Sequence, residues 1–199
     1  MPDREEAWAL LCEYTKSDSL RKHARAVEEV LRAYAAELGE DEDLWGMTGL
    51  LHDFDYEMYP DPAQHAAAGG RILRERGYPE ALVRAVEAHN EANGLGLART
   101  SALDKTLFAC DELAGFVTAV ALVRPNRSVH EVTPESVRKK LKDKRFAASV
   151  NREEVRRGIE ELGVDPERHM QFVIDALRRI APELGLEGEY HAAEGRPEH

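Results

Sequence analysis

The sequence of 199 residues predicts an all-α protein. Apolar residues recur at steps of three and four along most of the chain, which is the period of an amphipathic helix. No segment alternates apolar and polar residues over the length of a strand, and helix-start and helix-stop residues divide the pattern into segments. A globular chain of 22.3 kDa buries roughly 70% of the surface that it exposes when unfolded, so a real core is expected without disulfides.

Two helices are predicted in the first part of the chain. The first follows cap candidates at residues 17–19, carries apolar residues from Leu20 to Leu38 at helical spacing, and stops at Gly39. The second begins after Asp43 with the stretch LWGMTGLLHD. Its Gly46 and Gly49 lower helix propensity, and we expect them to let another backbone approach closely.

The middle of the chain predicts three further helices. Prolines near the starts of the segments DPAQH (61–65) and YPEAL (78–82) suit the first turn of a helix, where a missing N–H costs nothing. A loop rich in glycine and asparagine follows at 91–100. Ser101 then starts a long helix that runs until Arg124 and Pro125.

The remaining part predicts three helices and a tail. Thr133 with Pro134 starts the first, Asn151 with Glu154 forms a capping box for the second, and Asp165 with Pro166 starts the last, which ends near Pro182. The tail 187–199 has too little apolar content to pack, and we expect it to be disordered. The net charge of −11 belongs entirely to residues 1–123. We therefore predict a helical domain over 1–124 and a helical C-terminal extension over 125–186.

Composition and charge exclude several classes of protein. A net charge of −11 disfavours binding to duplex nucleic acid or to an anionic membrane through the overall field. The two cysteines, Cys12 and Cys110, give neither a disulfide framework nor a zinc knuckle, which favours a reducing cytoplasm. The start of the chain lacks the pattern of a signal peptide, and the longest uncharged apolar run, 113–123, is too short to span a bilayer.

Histidine placement is the most informative feature. His23 lies three residues after Leu20 and four before Val27, on the apolar face of its helix. His52 and Asp53 follow the apolar run TGLL, where a buried carboxylate costs several kcal/mol unless it is paired or bound to a metal.

His89 and Asp111 also lie on apolar helix faces. A single inward histidine is usually an ordinary core residue. Several imidazoles and two carboxylates turned toward one core are explained most simply by a cation that offsets their desolvation. Imidazole and carboxylate ligands favour Fe, Mn, Co, Ni or Zn, with Mg as an option for an oxygen-rich site.

The order of these residues resembles the HD-domain superfamily of metal-dependent phosphohydrolases. The stretch LLHDFDYE (50–57) stands where that family carries its His-Asp doublet, and LDKTLFACDEL (103–113) resembles the helix that bears its last aspartate. The resemblance covers about residues 19–123 and implies an HD-type helical bundle. It also implies a primary metal site formed by His23, His52, Asp53 and Asp111.

In family members with two metals, Asp53 would bridge to a second ion held by His65 and His89. Either histidine would otherwise be a catalytic acid, and His65 is equally a candidate for a phosphate contact or a solvated residue. Phe54-Asp55 after the doublet and Asn90 after His89 depart from patterns in some branches of the family, so both one and two ions stay open. Asp104, seven residues before Asp111, is a candidate to orient a histidine or to pair with a lysine.

A basic stretch, VRKKLKDKRF (137–146), follows in the C-terminal part. A solvated helix face is the ordinary explanation for such a stretch. Lys140 and Lys144 lie four residues apart and are the preferred candidates for binding the phosphate of an anionic substrate.

The resemblance implies a cytoplasmic hydrolase that uses one or two divalent ions to cleave a phosphate ester or anhydride of a small molecule, with a nucleotide as the first expectation. Two other functions are compatible with the same residues: a di-iron oxygenase of the same fold, and a non-catalytic nucleotide sensor. Oligomeric state is not readable from the sequence.

Overall fold

A computed structural model describes residues 2–188, and this part of the chain contains no strand. Its ten α-helices are α1 (Arg4–Tyr14), α2 (Asp18–Leu38), α3 (Glu42–Leu51), α4 (Ala67–Glu75), α5 (Glu80–His89), α6 (Ala102–Leu122), α7 (Pro134–Leu141), α8 (Arg152–Leu162), α9 (Pro166–Arg179) and α10 (Ala181–Leu184). Two short 3₁₀ helices lie at Glu91–Asn93 and Val129–Glu131. The all-α prediction is confirmed.

Side-chain caps fix most of the helix starts. Ser101 accepts a hydrogen bond from the backbone N–H of Asp104 and forms a capping box with it at the start of α6. Thr133 forms a capping box at the start of α7, and the Asp165 side chain accepts from the backbone N–H of Arg168 at the start of α9; proline follows each cap in the first turn. These three starts agree with the sequence prediction.

Two starts differ from the prediction. Residues 61–66 form turns, and α4 begins only at Ala67 because Ala66 has a φ of 66°, which a right-handed helix does not accept. At α8, the Asn151 side chain accepts from the N–H groups of Glu153 and Glu154. The capping box predicted there is absent, because the Glu154 carboxylate bonds the Asn151 side chain instead of its backbone N–H.

Helix α2 lies at the centre of the fold and packs closely on α3. A side chain at Gly49 would come within 3.0 Å of the Val27 backbone, so the predicted close approach of another backbone at this glycine is found. One apolar cluster is built on α1, α3 and α5, and a larger one joins α2 and α6 to α8, α9 and the segment ending at Leu186. The histidines and aspartates come together from the N-terminal part of α2, the C-terminal ends of α3 and α5, and the middle of α6.

The C-terminal helices pack on α2 and α6 through the larger cluster. The division of the chain at residue 124 stays a prediction. The predicted tail begins at Glu187, and its residues 189–199 lie outside the described part. Within residues 2–188, no helix combines the length and the apolar character needed to cross a membrane.

Candidate metal centre

Three helices, α2, α3 and α6, bring the four predicted primary ligands together. His23 lies on α2, His52 caps the C-terminus of α3 with Asp53 directly after it, and Asp111 lies on α6. One ligand atom from each of these four side chains lies within 4.8 Å of the others. His52 is fully buried, whereas His23 and both aspartates are partly exposed, so the group opens on one side to solvent.

The distances within this group are short. Nε2 of His23 lies 2.9 Å from Oδ1 of Asp111, and Nε2 of His52 lies 3.2 Å from the same oxygen. Nε2 of His52 also lies 3.4 Å from Oδ2 of Asp53. Both carboxylates therefore face imidazole nitrogens.

A second group shares Asp53 with the first. Oδ1 of Asp53 lies 3.0 Å from Nε2 of His65 and 3.2 Å from Nε2 of His89. The ligand atoms of these three residues also lie within 4.8 Å of one another. Asp53 thus presents one oxygen to each group.

The second ring nitrogen of three histidines is held by an acceptor. Nδ1 of His52 donates to the backbone carbonyl of Gly49 at 2.7 Å, and Nδ1 of His89 donates to that of Val86 at 2.5 Å. Nδ1 of His65 donates to the Asp55 carboxylate at 2.8 Å. Because a carbonyl or carboxylate accepts this proton, the neutral ring carries its lone pair on Nε2, facing Asp53 or Asp111.

This arrangement fits a divalent cation. The lone pair of an imidazole nitrogen and those of a carboxylate oxygen repel each other when they face, unless a cation or an additional proton lies between them. Burial by itself lowers the pKa of His52, but the charges of Asp53 and Asp111 outweigh it and hold the pKa well above the usual value. Burial also lowers the pKa of His65, but the hydrogen bonds and charges of Asp53 and Asp55 outweigh it and raise the pKa to about 9. The cluster therefore attracts positive charge strongly.

The turn that carries His65 is fixed by Asp55. This fully buried carboxylate accepts from Nδ1 of His65 and from the backbone N–H groups of Ala66 and Gly69. A side chain at Gly69 would come within 3.0 Å of the carboxylate. On the other side, the Asn90 side chain donates to the carbonyl of His65 at 3.0 Å.

The two groups open into a cavity of about 710 Å³. Its lining contains the five site residues exposed to it, together with Tyr56, Asn90 and three glutamates; within the described chain it contains no lysine or arginine. Burial, followed by the charge of Asp111, raises the pKa of Glu112 to about 7. Burial also raises the pKa of Glu154. The chemistry of this cavity is thus dominated by carboxylates and imidazoles.

The structure corrects the role expected of Asp104. Its carboxylate accepts from the backbone N–H groups of Thr100 and Ser101 and lies 3.4 Å from the Arg84 guanidinium. It contacts none of the site histidines, because it is used to cap α6. Seven residues of separation place it two turns from Asp111, too far along the helix to reach the same ligands.

The two lysines proposed as phosphate contacts are also placed differently. Helix α7 ends at Leu141, so Lys144 does not share a helical face with Lys140. The Lys140 ammonium lies 4.5 Å from the centre of the Phe146 ring, and Lys144 is exposed. Neither lysine lines the cavity beside the histidines.

Sequence reasoning did not identify Asp55, Asn90 or Glu112 as contributors to the site. Asp55 and Asn90 were noted only as departures from a family pattern, although both position His65. Asn90 and Glu112 each directly follow a candidate ligand, and Asp55 lies two residues after Asp53, so a polar residue close to a ligand was the available signal. The remaining histidines of the described chain lie elsewhere: His169 is buried between Tyr34 and the carbonyl of Ala109, and His130 is exposed.

Comparison with known proteins adds independent information. The family model described as HD domain matches residues 20–115. A tRNA (cytidine(56)-2'-O)-methyltransferase of Thermoplasma volcanium is 32% identical over 114 residues, which cover 54% of this chain and 33% of that protein. A ribonuclease Y of Oleidesulfovibrio alaskensis is 31% identical over 100 residues, covering 50% of this chain and 18% of its own length.

A ribonuclease Y of Aquifex aeolicus is 30% identical over 108 residues, covering 47% of this chain and 19% of its own length. The matched part of the chain thus spans between 18% and 33% of the length of these relatives. No solved structure matches the chain.

Proposed function

Residues 20–115 of this chain belong to the HD domain family, and from that premise we propose that the protein is a divalent-metal-dependent phosphohydrolase. Its substrate class is a small phosphorylated compound, in the first instance a nucleotide. The observation that carries the proposal is the position of Asp53, whose two oxygens face two groups of imidazole ligands. A carboxylate between two ligand sets is suited to bridge two ions.

The ligand assignment follows from the two groups. His23, His52, Asp53 and Asp111 would hold the first ion, and Asp53, His65 and His89 the second. A divalent ion supplies Lewis-acid activation of water and stabilises the charge that develops on the phosphoryl oxygens. The all-nitrogen-and-oxygen donor set is compatible with Fe, Mn, Co, Ni or Zn, and less suited to Mg.

His65 has a different task if only one ion binds. Its Nδ1 proton is held by Asp55, and a second proton on Nε2 then faces the cavity, since the pKa of His65 is about 9. A histidine in this state can donate its Nε2 proton to the oxygen of a leaving group. The number of ions therefore decides whether His65 is a ligand or an acid.

The cavity supports a small substrate. A volume of about 710 Å³ lies within the range of small-molecule sites, and the described residues of its lining include no lysine or arginine that would bind a long polyanion. The names of the relatives describe enzymes that act on RNA, but this chain covers only a minor part of each. We therefore propose a nucleotide rather than RNA as substrate.

One other activity has support from the same geometry. A carboxylate shared by two histidine-containing groups is also compatible with a di-iron centre that activates dioxygen. Bound iron, with oxygen consumption and no phosphate release, would identify that activity. A non-catalytic nucleotide sensor would bind nucleotides without turnover in fully metallated protein.

The test combines metal analysis with a phosphate-release screen. We expect the purified chain to contain at least one divalent ion and to release phosphate from nucleotides when that metal is restored. Asp53→Ala and His52→Ala should lose both metal and turnover, whereas His130→Ala, at an exposed histidine outside the site, should keep both. Unchanged metal content in the Asp53 and His52 variants would refute the assignment.

A further inference from the structure

A second cavity lies beside the first and shares part of its wall. It has a volume of about 530 Å³ and is bounded by α2, the C-terminal half of α6 and the segment 184–186. Leu20, His23 and Gly115 line both cavities, so the two meet at the edge of the candidate metal centre. A molecule bound at the ions can therefore extend past His23 into this space.

Gly115 is unusual among the helical glycines. In the interior of a helix a glycine costs about 1 kcal/mol relative to alanine, so its presence needs a reason. At each of the five other glycines inside the helices of residues 2–188, an added Cβ would come within 3.0 Å of another part of the chain. At Gly115 it would meet only the His23 ring, at 3.7 Å, which is ordinary contact. No part of the described chain therefore explains the missing side chain.

The far wall of the second cavity differs chemically from the metal centre. It contains the cations Lys22 and Arg127 together with the apolar side chains of Leu122, Leu184 and Leu186. The Lys22 ammonium lies 2.8 Å from the carboxylate of Asp18, which is 80% exposed. The Arg127 side chain makes no ion pair with any other residue of the described range. This wall can bind an anionic group, whereas the residues of 2–188 that line the first cavity include no lysine or arginine to do so.

We propose that the substrate extends from the metal centre across Gly115 into the second cavity and carries a second anionic group, which Lys22 and Arg127 bind. This inference rests on the proposed function and narrows its substrate class to organic phosphates with two separated anionic groups. The apolar wall packs against the body that joins the two groups. Gly115 keeps the passage between the cavities open.

The binding test compares adenosine 5'-monophosphate with adenosine 3',5'-bisphosphate, which differ by one phosphate group. Calorimetric titration of the full chain, with its metal restored, should show the bisphosphate binding about tenfold more tightly. The Lys22→Ala, Arg127→Ala double variant should lose this advantage. The matched control Lys139→Ala, at an exposed lysine outside both cavities, should keep it.

Two substitutions test the role of Gly115 through the stability of the folded chain, which is measured independently of activity. Gly115→Ala should raise the melting temperature of the full chain by about 1–4 °C, because alanine favours the helix and meets no close contact. Gly49→Ala should lower the melting temperature by at least about 2 °C, because the added Cβ would clash with the Val27 backbone. Gly115→Leu, with metal content unchanged, should abolish the advantage of the bisphosphate.

The outcomes separate this inference from the function on which it rests. Equal affinity for the two nucleotides, failure of both to bind, an advantage that survives the double variant, or destabilisation by Gly115→Ala would each overturn the extended subsite. If one of these results is found and phosphate is nevertheless released from the monophosphate, the extended subsite is refuted but the proposed hydrolase function is not. A bisphosphate advantage that depends on Lys22 and Arg127, without phosphate release from any compound, would refute the hydrolase and support the subsite.

Discussion

The orientation of each site histidine depends on what its second ring nitrogen contacts. His52 and His89 donate to carbonyls three residues earlier in the chain, in the last turns of α3 and α5. These carbonyls have no partner within the helix, so the histidines use groups that the end of a helix leaves available. His65 lies outside a helix and relies on Asp55 instead.

At this scale the sequence predicted part of the site. His23, His52, Asp53 and Asp111 each lie on or directly after an apolar helix face, so helical periodicity predicts that they turn toward the core. Their grouping into one site was implied by the resemblance to the HD-domain superfamily. That they hold a metal stays a prediction. Asp55 could not be assigned because its partners lie on a turn around Ala66, whose path no periodic pattern describes.

Asp55→Asn tests the orientation of His65. An amide can accept from His65 but cannot also satisfy both backbone N–H groups that the carboxylate binds, so the ring should lose its fixed position. We expect the affinity for the second ion to fall about 10–100-fold while the first ion is retained. Metal content after dialysis against graded metal concentrations measures this, with Asp61→Asn in the same turn as the control. Equal retention of both ions in Asp55→Asn would contradict the role.

Metal binding should depend on pH through His52 and His65. Both have a raised pKa, that of His65 being about 9, so they hold protons at neutral pH that a metal ion must displace. Affinity should therefore fall as the pH decreases from 9 to 6, by about tenfold per pH unit for each proton released. Calorimetric titration in two buffers of different ionisation enthalpy counts the protons. An affinity independent of pH, with no proton release, would disagree with the assignment.

At the scale of helices, caps and close contacts decide what the sequence can predict. Ser101, Thr133 and Asp165 identify the starts of α6, α7 and α9 because a cap is a local interaction. The start of α4 could not be predicted from Pro62, since Asp55, distant in sequence, holds the preceding turn. The end of α7 before Lys144 has a similar reason, because carbonyl groups of the following segment bind the distant Arg152 guanidinium.

The contact between α2 and α9 should give a pH-dependent contribution to stability. Nδ1 of His169 accepts from the Tyr34 hydroxyl, Nε2 donates to the Ala109 carbonyl, and burial lowers the pKa of the ring. The unfolded chain therefore binds a proton at a higher pH than the folded chain does. The stability that the neutral His169 contributes is fully present above about pH 6.5. It is lost as the pH falls below that value, by at most about 1.4 kcal/mol per pH unit.

Urea unfolding at pH 7.5 and 5.5 checks this contribution against His169→Gln. The difference in unfolding free energy between the wild type and the variant should narrow at the lower pH. A difference that stays constant would show that His169 does not titrate as proposed.

At the level of the entire fold, the candidate ligands come from four helices or their ends, and these helices lie beside both apolar clusters. His23, His52, His89 and Asp111 come from α2, α3, α5 and α6, which also border the two apolar clusters. The second cavity could not be predicted, because it joins Lys22 to Leu186 near the other end of the chain. Only the folded arrangement brings these residues together.

Metal binding should therefore stabilise the entire fold. A metal present at 100 times its dissociation constant adds about 2.7 kcal/mol to the free energy of unfolding if the unfolded chain does not bind it. Thermal unfolding should shift to a higher temperature with metal and back again with a chelator, and His52→Ala should show no shift. A wild-type melting temperature that is insensitive to metal would argue against a shared site.

The most direct measurement is anomalous diffraction from crystals of this chain grown with Mn²⁺. We expect a strong anomalous peak bounded by His23, His52, Asp53 and Asp111, and a second on the other side of Asp53, beside His65 and His89. Crystals with no anomalous peak within bonding distance of Asp53 would show that these side chains do not form a metal centre.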